Sequence, residues 1–140
     1  MPKVLILNGP NLNLLGRREP DIYGSTSLDD LETILRSNVP QGMQLSFFQT
    51  NHEGEMIERI HRLIEAPVQG VVINPAAWTH TSVAIRDALI AVNTPLIEVH
   101  ISNVHAREAF RRHSYISDIA QAVISGCGIQ GYAFALETLN

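Results

Sequence analysis

The sequence predicts an α/β fold with one parallel sheet covered by helices on both faces. Three observations predict it. Short apolar runs such as Val4–Leu7 and Val71–Ile73 lack polar alternation, the mark of strands buried on both faces. Longer segments between such runs carry apolar residues at helical spacing. Turn residues punctuate the boundaries: Pro40-Gln41-Gly42, Pro67 with Gly70, and Asn93-Thr94-Pro95.

Taken in order, Val4–Leu7 reads as the first strand, and Asn8–Gly24 as a long loop after it. Ser27 can cap a helix over Ser27–Val39, with Asp30 three residues on to complete a capping box. Met43–Gln49 reads as the second strand and Thr50–Glu53 as a polar loop. Met56, Ile57, Ile60, Leu63 and Ile64 give Gly54–Ile64 a helical period. The third strand, Val71–Ile73, runs into Asn74-Pro75 and the segment Ala76–Ser82. Val83–Val92 is a helix with Val83, Ile85, Ala88, Leu89 and Val92 mostly to one side, and Leu96–Ile101 a strand containing Glu98 and His100. Asn103–Tyr115 is polar and irregular, with one helical turn expected around Ala106–Phe110. Ile119–Ile124 reads as a fifth strand, although Asp118–Ser125 alone also fits a helix; Ile129–Leu139 is the last helix.

Five β-α units over residues 1–140 form a single domain of flavodoxin-like three-layer type, with sheet order 2-1-3-4-5. In such sheets the loops past the carboxyl ends of the strands form the ligand crevice. Asn8–Gly24, Asn74–Ser82 and Ile101–Arg112 are those loops, and they are the richest in Gly, Pro, His and Arg.

Composition narrows the function. A net charge of −4 argues against general nucleic-acid binding. No apolar stretch has the length of a membrane span. Met1-Pro2-Lys3 leads straight into a strand, with no signal peptide expected, and a cytoplasmic protein follows. One cysteine, Cys127, excludes an internal disulfide and a multi-cysteine metal site. No metal motif, Walker loop, GxGxxG or nucleophile elbow appears. Nine arginines against one lysine point to an anionic small ligand, since arginine makes bidentate contacts to anions. Lys3 precedes the first strand at the amino edge, so an imine route has no lysine at the crevice.

Acid–base chemistry remains. Arg17-Arg18 and Tyr23 share the first loop, and a guanidinium near a phenol favours the phenolate. The alternative is a solvated turn with a surface arginine pair. Glu98 and His100, two apart on a strand, share a face. A carboxylate beside an imidazole fixes its tautomer and prepares a general acid. His80 either meets a ligand or caps the following helix; Asn74 is a turn residue or a ligand contact; Asp87 reads as a solvated helix position. Of Arg107, Arg111 and Arg112, one is expected to face the crevice.

At this level of detail the chain resembles the type II 3-dehydroquinate dehydratases along essentially its whole length. The resemblance is carried by Asn8-Gly9-Pro10-Asn11-Leu12, Arg18-Glu19-Pro20, Tyr23-Gly24, Thr79-His80-Thr81-Ser82, Glu98-Val99-His100-Ile101-Ser102-Asn103, Arg107-Glu108, Phe110-Arg111 and His113-Ser114. Trp78 departs from it, standing where the family shows another large apolar residue, at a place expected to touch the site wall. The resemblance implies a hydro-lyase that removes water from 3-dehydroquinate in the anti sense, through an enolate, giving 3-dehydroshikimate. The implied setting is the shikimate route to chorismate and the aromatic amino acids, or the same reaction in quinate breakdown. A non-catalytic flavodoxin-like binding module is the alternative of another class. By motif, Tyr23 takes the proton, Arg18 keeps it a phenolate, and Asn11 helps stabilise the enolate through a water. His100 protonates the departing hydroxyl and Glu98 orients it. Asn74, the backbone N–H groups of Ile101 and Ser102, and the side chains of His80, Asp87 and Arg111 hold the substrate, Asp87 coming from a neighbouring subunit. The resemblance also implies a dodecamer built from trimers, a lid around Arg18 and Tyr23, and no metal or organic cofactor.

Overall fold

Five parallel strands in the order β2-β1-β3-β4-β5 form the sheet, as the sequence predicts. They are β1 (Lys3–Asn8), β2 (Gln44–Gln49), β3 (Gly70–Asn74), β4 (Leu96–His100) and β5 (Ala122–Ser125). The description comes from a computed structural model covering residues 2–140; Met1, where the N-terminal reading begins, lies outside the described residues. The three central strands are the apolar runs, and all of β3 and β4 is buried. The edge strands β2 and β5 are partly exposed, which is why their residues alternate or turn polar.

Alternation along each strand divides the core in two. Val4 and Ile6 of β1 face one side with Val72, Ile97 and Val99. There they meet Leu31 and Leu35 of α2 (Leu28–Ser37) and Tyr132, Ala135 and Leu136 of α5 (Gln130–Leu139). Leu5 and Leu7 face the other side, with Val71, Ile73 and Leu96. They pack on Met56 and Ile60 of α3 (Glu53–His61) and on Ile85 and Leu89 of α4 (Val83–Val92). Ser27 and Asp30 make the reciprocal capping box that starts α2. Ser82, not His80, caps α4 by accepting from the Ile85 N–H.

Several boundaries differ from the periodicity. The helix expected over Gly54–Ile64 starts at Glu53 and tightens into a 3-10 turn at Arg62–Ile64. The Asn8–Gly24 loop holds a 3-10 turn at Leu12–Leu14 and the short helix α1 (Pro20–Tyr23), started by a proline at its first position. The single turn expected around Ala106–Phe110 is two 3-10 turns, Val104–Ala106 and Ala109–Arg112, with Arg107 extended between them. The fifth strand does not begin at Ile119. Ser117–Ile119 is a 3-10 turn, and pairing to β4 starts where the Gln121 N–H donates to the Leu96 carbonyl. Ile119 and Ala120 are apolar because they pack against the α3–α4 core, not because they lie in the ladder.

Among the described residues no helix is long and apolar enough to cross a membrane.

Candidate active site

The cleft lies past the carboxyl ends of β1, β3 and β4. It is lined by Asn11, Arg18 and Tyr23 from the first loop, Asn74 and His80 after β3, and His100, Ile101, Ser102, Arg107 and Arg111 after β4. Lys3 is the first residue of β1, at the amino end and so away from the cleft.

Asn8-Gly9-Pro10-Asn11 has a geometric reason. β1 and β3 run in register, with Asn8 beside Asn74, and the Gly9 N–H donates to the Asn74 carbonyl at 2.8 Å. A Cβ on Gly9 would run into the Pro75 carbonyl, so the two strand ends approach only because that side chain is absent. The chain then takes left-handed backbone at Asn11, Glu19 and Ala76, with φ of 68°, 42° and 52°. Such conformations are costly outside glycine and cluster where a site over-determines the backbone. Asn51 holds the first bend by accepting from the Asn11 N–H at 2.8 Å.

Tyr132, fully buried on α5, links the two strand-end asparagines. Its hydroxyl donates to Asn8 Oδ1 at 2.7 Å, so it can only accept from Asn74 Nδ2 at 2.9 Å. Asn74 Oδ1 accepts from the Ala76 N–H at 3.1 Å. The amide is thereby oriented, and one Nδ2 hydrogen is left for a ligand. Burial raises the Tyr132 pKa, outweighing the bond from Asn74, so this phenol stays neutral. Asn74 is therefore both the turn residue and a cleft residue.

Tyr23 is the other phenol, and it faces the cleft. The guanidinium on its oxygen belongs to Arg107, whose Nη1 donates at 2.7 Å and also reaches Ser102 Oγ at 3.3 Å. Arg18 stands over the ring, its Cζ 5.1 Å from the centroid, and pairs with Glu19 at 3.5 Å. Arg17 is exposed and does not line the cleft. Two arginines of the later cluster face the cleft, not one: Arg107 and Arg111.

His100 and Glu98 share the α4 side of β4 and meet at 2.5 Å, Nε2 to Oε2. Glu98 is fully buried, and its oxygens take further bonds: Thr79 Oγ1 at 2.9 Å, Ser117 Oγ at 2.6 Å, and Ser114 Oγ at 3.0 and 3.1 Å. Burial opposes the charge. The bonds from His100 and Ser117, the charge of His100 and the bond from Thr79 outweigh it and hold the carboxyl below the usual carboxylate range. With Nε2 committed to Glu98, Nδ1 is the nitrogen left for a ligand.

His80 Nδ1 lies 2.8 Å from the His113 carbonyl, which can only accept, so Nδ1 carries the hydrogen. Burial lowers the His80 pKa against the pull of that bond, and nearby His100 and Arg111 lower it further. Neutral His80 then has Nε2 as an acceptor. Asp87 is exposed on α4 and does not line this chain's own cleft. Trp78 is not in the wall; it packs against the α3–α4 core.

Three arginines and two histidines line the cleft without a carboxylate, a cationic concavity in a chain of net charge −4. Among the described residues no group of three or more His, Cys, Asp or Glu could hold a metal ion.

Sequence reasoning assigned no role to Arg107, Tyr132, Thr79, Ser114, Ser117 or Asn51. Arg107 was visible as a member of a basic cluster. Thr79 and Ser114 stood within motif blocks but with no role attached; Tyr132, Ser117 and Asn51 had no motif signal, and the partners of Tyr132 and Ser117 are distant in sequence.

Residues 2–140 match the family model described as dehydroquinase class II. A 3-dehydroquinate dehydratase from Halorhodospira halophila is 62% identical over 136 residues, 96% of this chain and 92% of that protein. A protein from Pyricularia oryzae named catabolic 3-dehydroquinase is 59% identical, over 97% of this chain and 88% of its own length. The crystal structure of the type II dehydroquinase from Propionibacterium acnes superposes with a TM-score of 0.92 at 47% identity, covering 99% of this chain and 96% of that one. The chain belongs to the class II dehydroquinase family.

Proposed function

We propose that this protein is a 3-dehydroquinate dehydratase, a hydro-lyase that forms 3-dehydroshikimate by anti elimination through an enolate. The observation that carries the reading is one cationic cleft lined by both a guanidinium-bound phenol and a carboxylate-bound imidazole. Removing a proton beside a ketone needs a base, and the enolate needs donors. Tyr23, with the Arg107 guanidinium on its oxygen and Arg18 over its ring, is the base. Asn11, through a water, stabilises the enolate oxygen. The Nδ1–H of His100 protonates the departing hydroxyl while Glu98 neutralises the imidazolium. Asn74, the backbone N–H groups of Ile101 and Ser102, His80 Nε2 and the Arg111 guanidinium hold the carboxylate and hydroxyls. Residues 1–140 act as one catalytic domain, in the cytoplasm, without metal or organic cofactor. The role is biosynthetic, in the shikimate route to chorismate and the aromatic amino acids; quinate breakdown would use the same cleft.

The test is absorbance in the enone band after adding 3-dehydroquinate. Turnover is expected to persist in the presence of borohydride, and no turnover would reject the reading. Substrate-dependent inactivation by borohydride would keep the reaction and reject the enolate route in favour of an imine on Lys3.

The working unit is a homo-oligomer, a dodecamer built from trimers. Val83, Asp87 and Ile90 lie at i, i+4 and i+7 of α4, and the two apolar residues are 50% and 49% exposed. An acid between two exposed aliphatics on one face suits an interface in which Asp87 reaches a neighbour's cleft. Light scattering should give a mass above a trimer. Mixed assemblies of Asp87→Ala and Tyr23→Phe chains should regain activity that neither has alone, whereas a fully active monomer would return Asp87 to a surface role.

A further inference from the structure

The carboxylate behind His100 is held by more than the imidazole. Glu98 is fully buried, yet every one of its partners is a donor. Ser114 Oγ already accepts two backbone N–H groups, from Ile116 at 3.0 Å and Ser117 at 3.1 Å. Its lone pairs are used, so its proton is left to point at the carboxylate. Ser117 sits on the next turn and covers Oε1, while Thr79, on the turn after β3, covers Oε2. The two loops are tied to each other, since the Tyr115 N–H donates to the Thr79 carbonyl at 2.8 Å. Arg86 of α4 fixes the far loop through the Tyr115 carbonyl and Asp118. An anionic Glu98 satisfies all of these donors at once, whereas a protonated one would force at least one of them to turn away or to accept.

We propose that the hydroxyls of Thr79, Ser114 and Ser117 are positioning residues that keep Glu98 an anion, and so keep the Nε2–H of His100 on Glu98 and its Nδ1 toward the substrate. This rests on the dehydratase reading in assigning His100 as the acid. The hydroxyls touch neither substrate nor reacting atoms; they act through Glu98. Groups facing the pair could also titrate. His80, with its ring 6.4 Å from that of His100, Arg107 and Arg111 lie on the cleft side, and His105 and Arg112 line the cavity behind. Glu108 is engaged by Arg111 and Asp118 by Arg86, and neither lines the cleft or that cavity. Tyr23 and Arg18 line the cleft side as well, but Glu98 is the one carboxylate lining either space and, of these titratable groups, the one bonded to His100.

The sign follows from the donors. Burial raises the Glu98 pKa, but the donors outweigh it and hold the carboxyl below the ordinary value near 4.5, so in the wild type the anion is lost only below that pH. Removing one charge-assisted bond should move that loss up by about one pH unit, a tenfold change in the ionised fraction. Because the Tyr23 base contributes to any kcat profile, the deciding readout is the imidazole. The experiment is proton–nitrogen NMR of the His100 ring without substrate, followed down in pH for the full-length wild type, Ser117→Ala, Thr79→Val and Thr79→Ser, with kcat and KM measured at neutral pH beside it. The hydrogen-bonded Nε2–H signal should disappear at higher pH in Ser117→Ala and Thr79→Val, with KM little changed, and at the wild-type pH in Thr79→Ser. A signal lost at the wild-type pH in both Ser117→Ala and Thr79→Val would overturn the proposal. Wild-type protein that fails to turn over 3-dehydroquinate would reject the dehydratase reading instead, and the NMR arm would still decide whether the hydroxyls hold the anion. Ser117 and Thr79 lie on different loops, so misfolding of one variant leaves the other to decide.

Discussion

His100→Ala should lower kcat by about 10²- to 10⁴-fold, the range for losing a positioned general acid, while KM stays close to the wild-type value. The imidazole is needed when hydroxide departs and contributes little to holding the ground state. Glu98 adds a second expectation. Its buried charge loses its shortest partner in the variant, but Thr79, Ser114 and Ser117 remain. The chain should therefore fold, with a modest loss of stability read by thermal melting. Steady-state kinetics separate the outcomes. If KM rises and kcat does not fall, His100 is a binding group and another donor protonates the hydroxide.

Arg107→Ala should lower kcat by about 10- to 100-fold. A charge-assisted hydrogen bond is worth about 1.5–3 kcal/mol, and each ~1.4 kcal/mol is tenfold in rate. Arg107 Nη1 makes the direct contact with the Tyr23 oxygen, at 2.7 Å. Arg18 reaches the ring face and shares its charge with Glu19, so Arg18→Ala should cost less. Lysine at position 107 should rescue in part, because it keeps the charge but loses the planar guanidinium that sets Nη1 between Tyr23 and Ser102. Arg17→Ala, on an exposed residue outside the cleft, should be near wild type. The measurement is kcat and KM at neutral pH for all four variants. A rise in KM for Arg107→Ala with kcat unchanged would assign it to substrate binding and leave the phenol to Arg18.

The two arginines show where reading the chain stops. Arg18 lies five residues from Tyr23, so sequence proximity suggests it as the cation. Arg107 is 84 residues away, and only the pairing of β4 with β3, which itself pairs with β1, brings it to the phenol. The pair that was found, Glu98 with His100, lies two apart on a strand and therefore on one face by backbone geometry alone. Its supporting hydroxyls were not legible. Serine and threonine occur in turns for local reasons, and nothing in Ser114 or Ser117 distinguishes a cap from a donor to a carboxylate on β4.

By itself the sequence determined the strand and helix alternation, the order of the sheet, the side on which the loops meet, and the Glu98–His100 dyad. These follow from short-range physics: periodicities of two and 3.6 residues, capping at Ser27, and the handedness of parallel crossovers. Only the tertiary structure decided which arginine touches Tyr23, that Tyr132 orients Asn74, that Trp78 belongs to the core, and that the fifth strand begins at Ala122. Each of these depends on which distant group fills a direction left open by the local backbone. That choice is made by packing the two layers of the core and by pairing every buried polar atom, and neither condition is written in any one segment.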